Sequence, residues 1–414
     1  MKEVEAVINE VLGISESFEL PEKMLSCLLS DDKNAMFDKF VERLGAPEFG
    51  WFTDYFQEQH SNRDKFMQDF TPKEVAYLVS HLINKPREMA DICAGIGGLT
   101  ISAIDNDIFF NCYELSKRAI PLLLFNLAIR NINAQVIEMN ILTEEVSTCY
   151  KLTRSEKYSE ITIAEPEKKS VDLVVMNPPY SVKFKELKEN DRRTIKYGAP
   201  PTDKADYMFI LHGLEMLKEH GTLIAILPHG ALFRGNREME IRKALIEKNL
   251  IDAIIGLPDK LFLNTQIPVC IMVLKKGKET NDIIIIDASK GFKKCGKINK
   301  LRQQDINRIL TAYKQRQRVD KFAEIVTHEK IEQNDYNLNI PRYVDTSEQE
   351  VLPPLTQTLD DLYEIQNKIN ACEKDLFDMM RDLTGFNDSE LRKIKKIEKL
   401  QKQGHHQMDW SDLF

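Results

Sequence analysis

The 414-residue chain contains no stretch approaching ~18 uncharged apolar residues, so no membrane-spanning helix is predicted. Its N-terminus, Met1-Lys2-Glu3-Val4-Glu5, lacks a basic segment followed by an apolar run, and no secretory signal is expected. The seven cysteines (Cys27, Cys93, Cys112, Cys149, Cys270, Cys295 and Cys372) include no CxxC pair. An odd, scattered set argues against a disulfide framework or a zinc site and implies reduced thiols in the cytoplasm. His212, His229 and the other histidines show no metal-ligand spacing, so no metal is predicted. Positive charge is also scarce: 57 Lys and Arg stand against 65 Asp and Glu, a net charge of −8. Duplex affinity comes largely from neutralising phosphates, so such a chain is a poor DNA binder on its own, although whole-chain charge does not describe one cleft. What remains is an ordinary globular composition, 43% hydrophobic and 29% charged, long enough for one large domain with smaller appendages.

Residues 1–66 read as a helical region: Val4, Val7, Ile8 and Val11, then Phe37, Phe40, Val41 and Leu44, recur at helical spacing. From Phe70 the texture alternates between strand and helix. Strands are predicted at 89–93, 109–115, 134–139, 171–176, 222–227, 251–256 and 269–274. Helices are predicted over 116–130, 205–218 and 234–248. The nearly continuous apolar run Val171 to Met176 is that of a central parallel strand covered on both faces. The expected fold is a doubly wound, mostly parallel, seven-stranded α/β sheet over residues 67–345. A linker and a helical tail occupy 346–414.

Two constellations carry chemistry. The first, Asp91-Ile92-Cys93-Ala94-Gly95-Ile96-Gly97-Gly98, closes the first strand, where glycines let the backbone turn tightly and approach a ligand. Glu114, at the end of the second strand, is placed to accept hydrogen bonds from ribose hydroxyls. Ala94 and Thr100 break the GxGxxG spacing of dinucleotide sites. Alone, this pattern is also that of an ordinary strand–helix turn.

The second constellation, Asn177-Pro178-Pro179-Tyr180, follows the fourth strand. Prolines often punctuate strand ends, but here each residue has a chemical task. A base amino group is a poor nucleophile because its lone pair is delocalised into the ring. The Asn177 side-chain oxygen and the Pro178 carbonyl are suited to accept its two hydrogens and aim the nitrogen. Pro179 stiffens the cluster, and Tyr180 is suited to stack on a base swung out of a duplex. Methyl transfer is then an in-line displacement governed by positioning. No Pro-Cys pair supplies the thiolate that methylation of a cytosine ring carbon requires.

These motifs resemble the modification subunit of type I restriction–modification systems, within the N6-adenine DNA methyltransferases. Phe70-Thr71-Pro72 resembles that family's entry segment, which closes over the methionine end of S-adenosylmethionine. The runs Leu227 to Gly235, Glu240-Ile241-Arg242, Ile255 to Pro258, Leu261-Phe262, Asn264-Thr265, Ile267-Pro268 and Asp335 to Tyr343 resemble later motifs in the same order. The resemblance implies a Rossmann-like methyltransferase domain that transfers a methyl group from S-adenosylmethionine to adenine N6 in DNA. It implies cofactor contacts from Phe70, Thr71, Pro72, Asp91, Cys93, Gly95, Ile96, Gly97, Glu114, Leu115, Asn140, Ile141, Leu142 and Asn177. Asn177, Pro178, Pro179 and Tyr180 become the catalytic set. The chain departs from the pattern at Ile96, where a hydroxyl residue is usual, and at Asn140, where an aspartate is usual. For Cys93 the residues themselves suggest a small buried position in the sheet.

Lys183, Lys185, Lys188, Arg192, Arg193, Lys196 and Lys204 follow Tyr180, interleaved with four acids, and suggest a loop that grips phosphates or simply a solvated one. In the tail, Leu352, Leu355, Leu359, Leu362, Ile369, Leu376, Met380 and Leu383 form a heptad seam, with Gln366 and Glu373 at two skipped positions. Gly385 is a candidate stop, and Asp388 or Ser389 a candidate cap for a second, basic helix. Such a seam either folds back on its own chain or pairs with a partner. The resemblance implies a DNA-specificity subunit as that partner, double-stranded DNA as substrate, and leaves a restriction nuclease subunit open. Methylation of protein glutamine or RNA, and a non-catalytic assembly role, stand as alternatives.

Overall fold

The computed structural model describes residues 2–47, 51–52, 70–83, 85–105, 107–185, 191–263, 265–347, 354–382 and 387–404. Two compact units divide the chain, Met1–Ser347 and Glu348–Phe414. Among the described residues no helix is long and apolar enough to cross a membrane.

The first unit is built on strands β1 (Glu88–Ile92), β2 (Phe109–Glu114), β3 (Ala134–Asn140), β4 (Glu145–Thr153), β5 (Glu160–Ile163) and β6 (Val171–Met176). It continues with β7 (Leu217–Pro228), β8 (Ile251–Gly256), β9 (Val269–Lys275) and β10 (Asp282–Asp287). A separate two-stranded ribbon, β11 (Lys293–Cys295) and β12 (Ile298–Lys300), precedes β13 (Ala323–Thr327). Eleven strands form one sheet in the order β13-β10-β8-β9-β7-β6-β1-β2-β3-β4-β5. Only β4, β9 and β13 run against the rest. The seven expected strands are present, and among the described residues β4, β5, β10 and β13 extend the sheet beyond the expected seven to eleven. The four additions form the sheet's two ends, β13 and β10 at one and β4 and β5 at the other. There β4 and β5 expose much of their length and so carry polar residues that hide their strand character.

Helices alternate with the strands: α1 (Lys2–Leu12), α2 (Leu20–Leu28), α3 (Lys33–Leu44), α4 (Lys73–His81), α5 (Gly98–Ser102) and α6 (Ile120–Ala128). Then come α7 (Asp206–Met216), α8 (Asn236–Glu247), α9 (Gln303–Gln315) and α10 (His328–Glu332). Successive residues of a strand face opposite sides, and β1 shows the result. Met89 joins the hydrophobic cluster on one face, while Ala90 and Ile92 join the cluster on the other. All nine residues of α6 are buried, because the N-terminal helices cover its outer side. The rings of Phe37, Phe40 and Phe52 stand 4.9–5.2 Å from that of Phe125 on α6. Asp38 of α3 accepts hydrogen bonds from Lys157 and Tyr158. The N-terminal helices therefore belong to the first unit's core; residues 48–50 and 53–66 of the expected helical region lie outside the described residues.

Chain order fixes where a ligand fits. β2 and β3 step outward from β1 on one side, and the chain then returns to place β6 on the other side. Parallel α/β sheets bind ligands at such a reversal, beyond the carboxyl ends of the strands.

The second unit holds α11 (Leu355–Asp382) and α12 (Asp388–Gly404). Leu355, Leu362, Ile369 and Leu376 of the expected seam are exposed on α11. Leu352, Leu383, the Met380 side chain and Gly385 lie outside the described residues. The α12 cap is Asn387, not Asp388 or Ser389. Its Oδ1 accepts from the Glu390 amide, and Glu390 Oε2 accepts from the Asn387 amide, each at 3.0 Å, a reciprocal capping box.

Candidate active site

Ile92 and Met176 pair across β1 and β6, so Cys93 and Asn177 leave the sheet side by side at its carboxyl edge. The first departure is a tight turn with Cys93, Gly95 and Gly97 at φ +62°, +58° and +92°. A Cβ on Gly95 would stand 2.8 Å from the Phe70 ring, so a side chain here would displace the entry segment. Asp91 Oδ2 anchors the turn by accepting from the Thr100 amide (3.2 Å) and hydroxyl (2.7 Å). Its other oxygen, Oδ1, has no partner among the described residues. Burial pushes the Asp91 carboxyl up to about 7, against the Thr100 hydrogen bonds, and nearby Glu114 adds to the rise.

Glu114, at the end of β2, is also buried. Its Oε2 accepts from the Gly95 amide at 2.7 Å, and its Oε1 from the Leu115 and Ser116 amides at 2.9 and 2.7 Å. The carboxylate thus ties two strand-end turns together. A carboxylate has about four acceptor positions, so about one remains for a ligand hydroxyl. Burial raises its pKa, and the three amides oppose that rise.

At the second departure Asn177 Nδ2 donates to Thr71 Oγ1 at 3.1 Å, and Asn177 Oδ1 accepts from the Tyr180 hydroxyl at 2.9 Å. The entry segment and the Asn-Pro-Pro-Tyr motif are thereby joined. Tyr180 is held edge-on against the buried Phe262, ring centroids 6.5 Å apart. Beyond it, the Ser181 amide donates to Asp206 Oδ1 at 2.9 Å, and Arg234 donates to Asp206 Oδ2 at 2.7 Å. Gly230 leaves room for that arginine: a Cβ there would lie 2.6 Å from the guanidinium.

One cavity connects the two motifs. Of the residues singled out from sequence it is lined by Phe70, Thr71, Asp91, Cys93, Gly95, Ile96, Glu114, Leu115, Asn140, Ile141, Leu142 and all four of Asn177 to Tyr180. Pro72 and Gly97 stand outside its lining, as the caps of α4 and α5. Cys93 lines the cavity and also packs against the hydrophobic cluster on that face of the sheet, and burial drives its thiol upward, which makes it a poor nucleophile. Asn140 Oδ1 accepts from the Leu142 amide at 3.0 Å and so braces the turn after β3. Tyr113, Met139, Val182 and Phe209 also line the cavity and were not anticipated. Tyr113 and Met139 sit at or beside strand ends, a signal that was available; Phe209 arrives from α7 with none.

The basic segment after Tyr180 is corrected in part. Arg192 forms two hydrogen bonds with Glu144, and Arg193 is buried against Asp191. Arg193 is thus engaged within the protein and not presented to phosphates, whereas the Arg192 side chain stays exposed beside its Glu144 partner. Lys183 and Lys185 are exposed, and Lys188 lies outside the described residues.

Residues 48–351 match the family described as N-6 DNA methylase. The chain belongs to that family. The family's reaction is methyl transfer to adenine N6 in DNA, with S-adenosylmethionine as donor. The type I restriction enzyme MjaVII methylase subunit of Methanocaldococcus jannaschii is 28% identical over 94% of this chain and 70% of its own length. The MpnII methylase subunit of Mycoplasma pneumoniae is 28% identical over 74% of this chain and 59% of its own length. Among solved structures, the type I restriction–modification methyltransferase subunit of Streptococcus thermophilus superposes with a TM-score of 0.63. It is 30% identical, with 83% of this chain and 80% of that one covered.

The cavity of this N-6 DNA methylase fits that donor. S-adenosylmethionine carries an ammonium group and two ribose hydroxyls. The unpartnered Asp91 Oδ1 is a buried acceptor suited to a cation or a hydroxyl. The spare position on Glu114 suits a hydroxyl, and the remaining lining is largely apolar.

Proposed function

We propose that this chain is the catalytic modification subunit of a type I restriction–modification complex and methylates adenine N6 in double-stranded DNA. The observation that carries the reading is the shared cavity, in which the Asp91 turn and the Asn177–Tyr180 motif face one space. Asp91, Gly95, Glu114 and the Asn140–Leu142 turn would hold S-adenosylmethionine, which supplies a methyl group on a sulfonium when bound. Asn177 and the Pro178 carbonyl accept the hydrogens of the adenine amino group and orient its lone pair. Tyr180 offers a stacking face to the extruded base. The buried position of Pro178 keeps water from competing for its carbonyl.

In this reading residues 67–345 carry catalysis, 1–66 buttress them, and 346–414 are a linker and a docking tail. The exposed apolar stripe on α11 is offered to a DNA-specificity subunit, which supplies the base reading and the positive charge that a chain of net charge −8 lacks. The test is methylation of duplex DNA by the purified chain with and without that subunit. Labelled methyl from S-adenosylmethionine should appear as N6-methyladenine only in the complex and only on DNA bearing the recognition site. Full-rate, site-specific methylation by the single chain would overturn the subunit assignment. Methyl transfer to a protein or RNA in place of DNA would overturn the substrate.

A further inference from the structure

Arg193 is 2% exposed, a rare state for arginine, although it belongs to a segment rich in charge. One edge of its guanidinium forks onto Asp191, with Nε to Oδ1 at 2.9 Å and Nη2 to Oδ2 at 2.5 Å. The other reaches across to the turn after β3. Nη1 donates to the Ile141 carbonyl at 2.8 Å and Nη2 to the Leu142 carbonyl at 3.1 Å. Ile141 and Leu142 are consecutive and both line the cavity. Gripping both carbonyls fixes the orientation of the peptide between them, and with it the Leu142 amide that meets Asn140.

The same segment is tied to the motif at the other wall. The Thr202 carbonyl accepts from the Phe184 amide at 2.9 Å, and just beyond the segment the Ala205 amide donates at 2.9 Å to the carbonyl of Val182, which lines the cavity two residues after Tyr180. Arg192 adds a second link, donating to both Glu144 oxygens at 2.8 and 2.5 Å. The guanidinium is therefore the joint between the β3 turn and the chain that follows Tyr180. A lysine at this position keeps the charge but loses the planar fork that reaches three residues at once.

We propose that Arg193 is a positioning residue through which a ligand seated against Ile141 and Leu142 fixes residues 191–204, the segment that follows the base-binding motif. The inference rests on the reading of this cavity as the S-adenosylmethionine site. It makes cofactor binding and placement of that segment one event, with neither Arg193 nor Asp191 touching the reacting atoms.

The experiment is hydrogen exchange of the full-length chain with and without saturating S-adenosylmethionine, alongside calorimetric titration of the same samples. In the wild-type protein, cofactor should slow exchange of the amides in 191–204 by about five- to 150-fold, the usual range of coupling between linked sites. Arg193→Lys should stay folded and still bind cofactor, more weakly, while the exchange response of 191–204 disappears. Removing Arg193 alone leaves the largely covered Asp191 carboxylate without its ion-pair partner, so the companion variant is Asp191→Asn with Arg193→Met, which leaves no such charge. It should behave as Arg193→Lys does. A wild-type response retained in both variants, or absent in wild type despite cofactor binding, overturns the inference and leaves the site assignment standing. Loss of the fold in both variants makes Arg193 structural and also overturns it. A wild-type chain that binds no S-adenosylmethionine overturns the site assignment itself.

Discussion

The Tyr180 hydroxyl donates to Asn177 Oδ1 across 2.9 Å, so the acceptor that the proposed mechanism assigns to the adenine amino group already has a partner. In that mechanism base entry would exchange this hydrogen bond for one from N6, beside a ring packed edge-on against Phe262.

Removing the hydroxyl alone should therefore do little harm. Tyr180→Phe is expected to keep most of the methylation rate, because stacking needs only an aromatic face. Tyr180→Ala forfeits roughly 1–3 kcal/mol of stacking. Asn177→Ala should abolish transfer while weakening S-adenosylmethionine binding far less than it weakens catalysis. Methylation kinetics of the assembled complex, beside calorimetry on the chain, check all three; an active Asn177→Ala enzyme would sink the catalytic assignment.

Asp91 gives the cofactor-free protein a distinctive pH dependence. Its folded pKa, near 7, lies above the ordinary carboxylate value. The stability that its neutral form contributes is thus intact in acid and lost as pH rises through 7. Asp91→Asn escapes that loss while keeping an acceptor for Thr100. The variant's stability relative to wild type should grow by roughly 2–3 kcal/mol between pH 5 and pH 8. Paired denaturation curves at the two values would show it, and a constant difference would mean that Asp91 titrates elsewhere.

Glu114→Gln tests the same corner by geometry. A carboxamide has one acceptor oxygen, so its NH2 must confront at least one of the Gly95, Leu115 and Ser116 amides. The unsatisfied donor should cost about 1–3 kcal/mol. Thermal melts should fall and the S-adenosylmethionine dissociation constant should rise together. An unchanged dissociation constant would place the cofactor away from Glu114.

The tail should separate folding from assembly. Leu362→Asp with Leu376→Asp alters exposed side chains, so the isolated chain should melt within about 0.5 kcal/mol of wild type. Copurification with the specificity subunit should nevertheless fail, since a charge buried in a packed seam is costly. Deletion after Pro354 should give the same outcome, with S-adenosylmethionine binding retained. A double variant that still copurifies would show that the stripe is not the docking surface.

The central strands were readable in sequence because burial on both faces leaves continuous apolar runs such as Val171 to Met176. The run Ile283 to Ile286 in β10 is equally apolar, but four residues do not distinguish strand from helix by period. In the site, residues at strand ends announced themselves, since the turn that ends a strand also carries the motif. Pairings across the fold did not. Thr71 meets Asn177 from 106 residues away, and no local pattern encodes that contact. Arg193 misled for a related reason: its charge suggests solvent, and only the carbonyls of a distant turn reveal why it is buried.

The aromatic cluster around Phe125 has a consequence for how the protein is made. Asp38 and its partner Tyr158 are 120 residues apart, and Phe37 and Phe40 beside it wait for Phe125 and Tyr158. At ribosomal rates of ~5–20 residues per second, α3 spends roughly 6–24 s outside the exit tunnel before Tyr158 emerges to complete its contacts. During that interval its two buried phenylalanines are exposed bait for chaperones and for other nascent chains. The yield of soluble protein should therefore depend on the speed of translation between α3 and β5, although every residue there is unchanged.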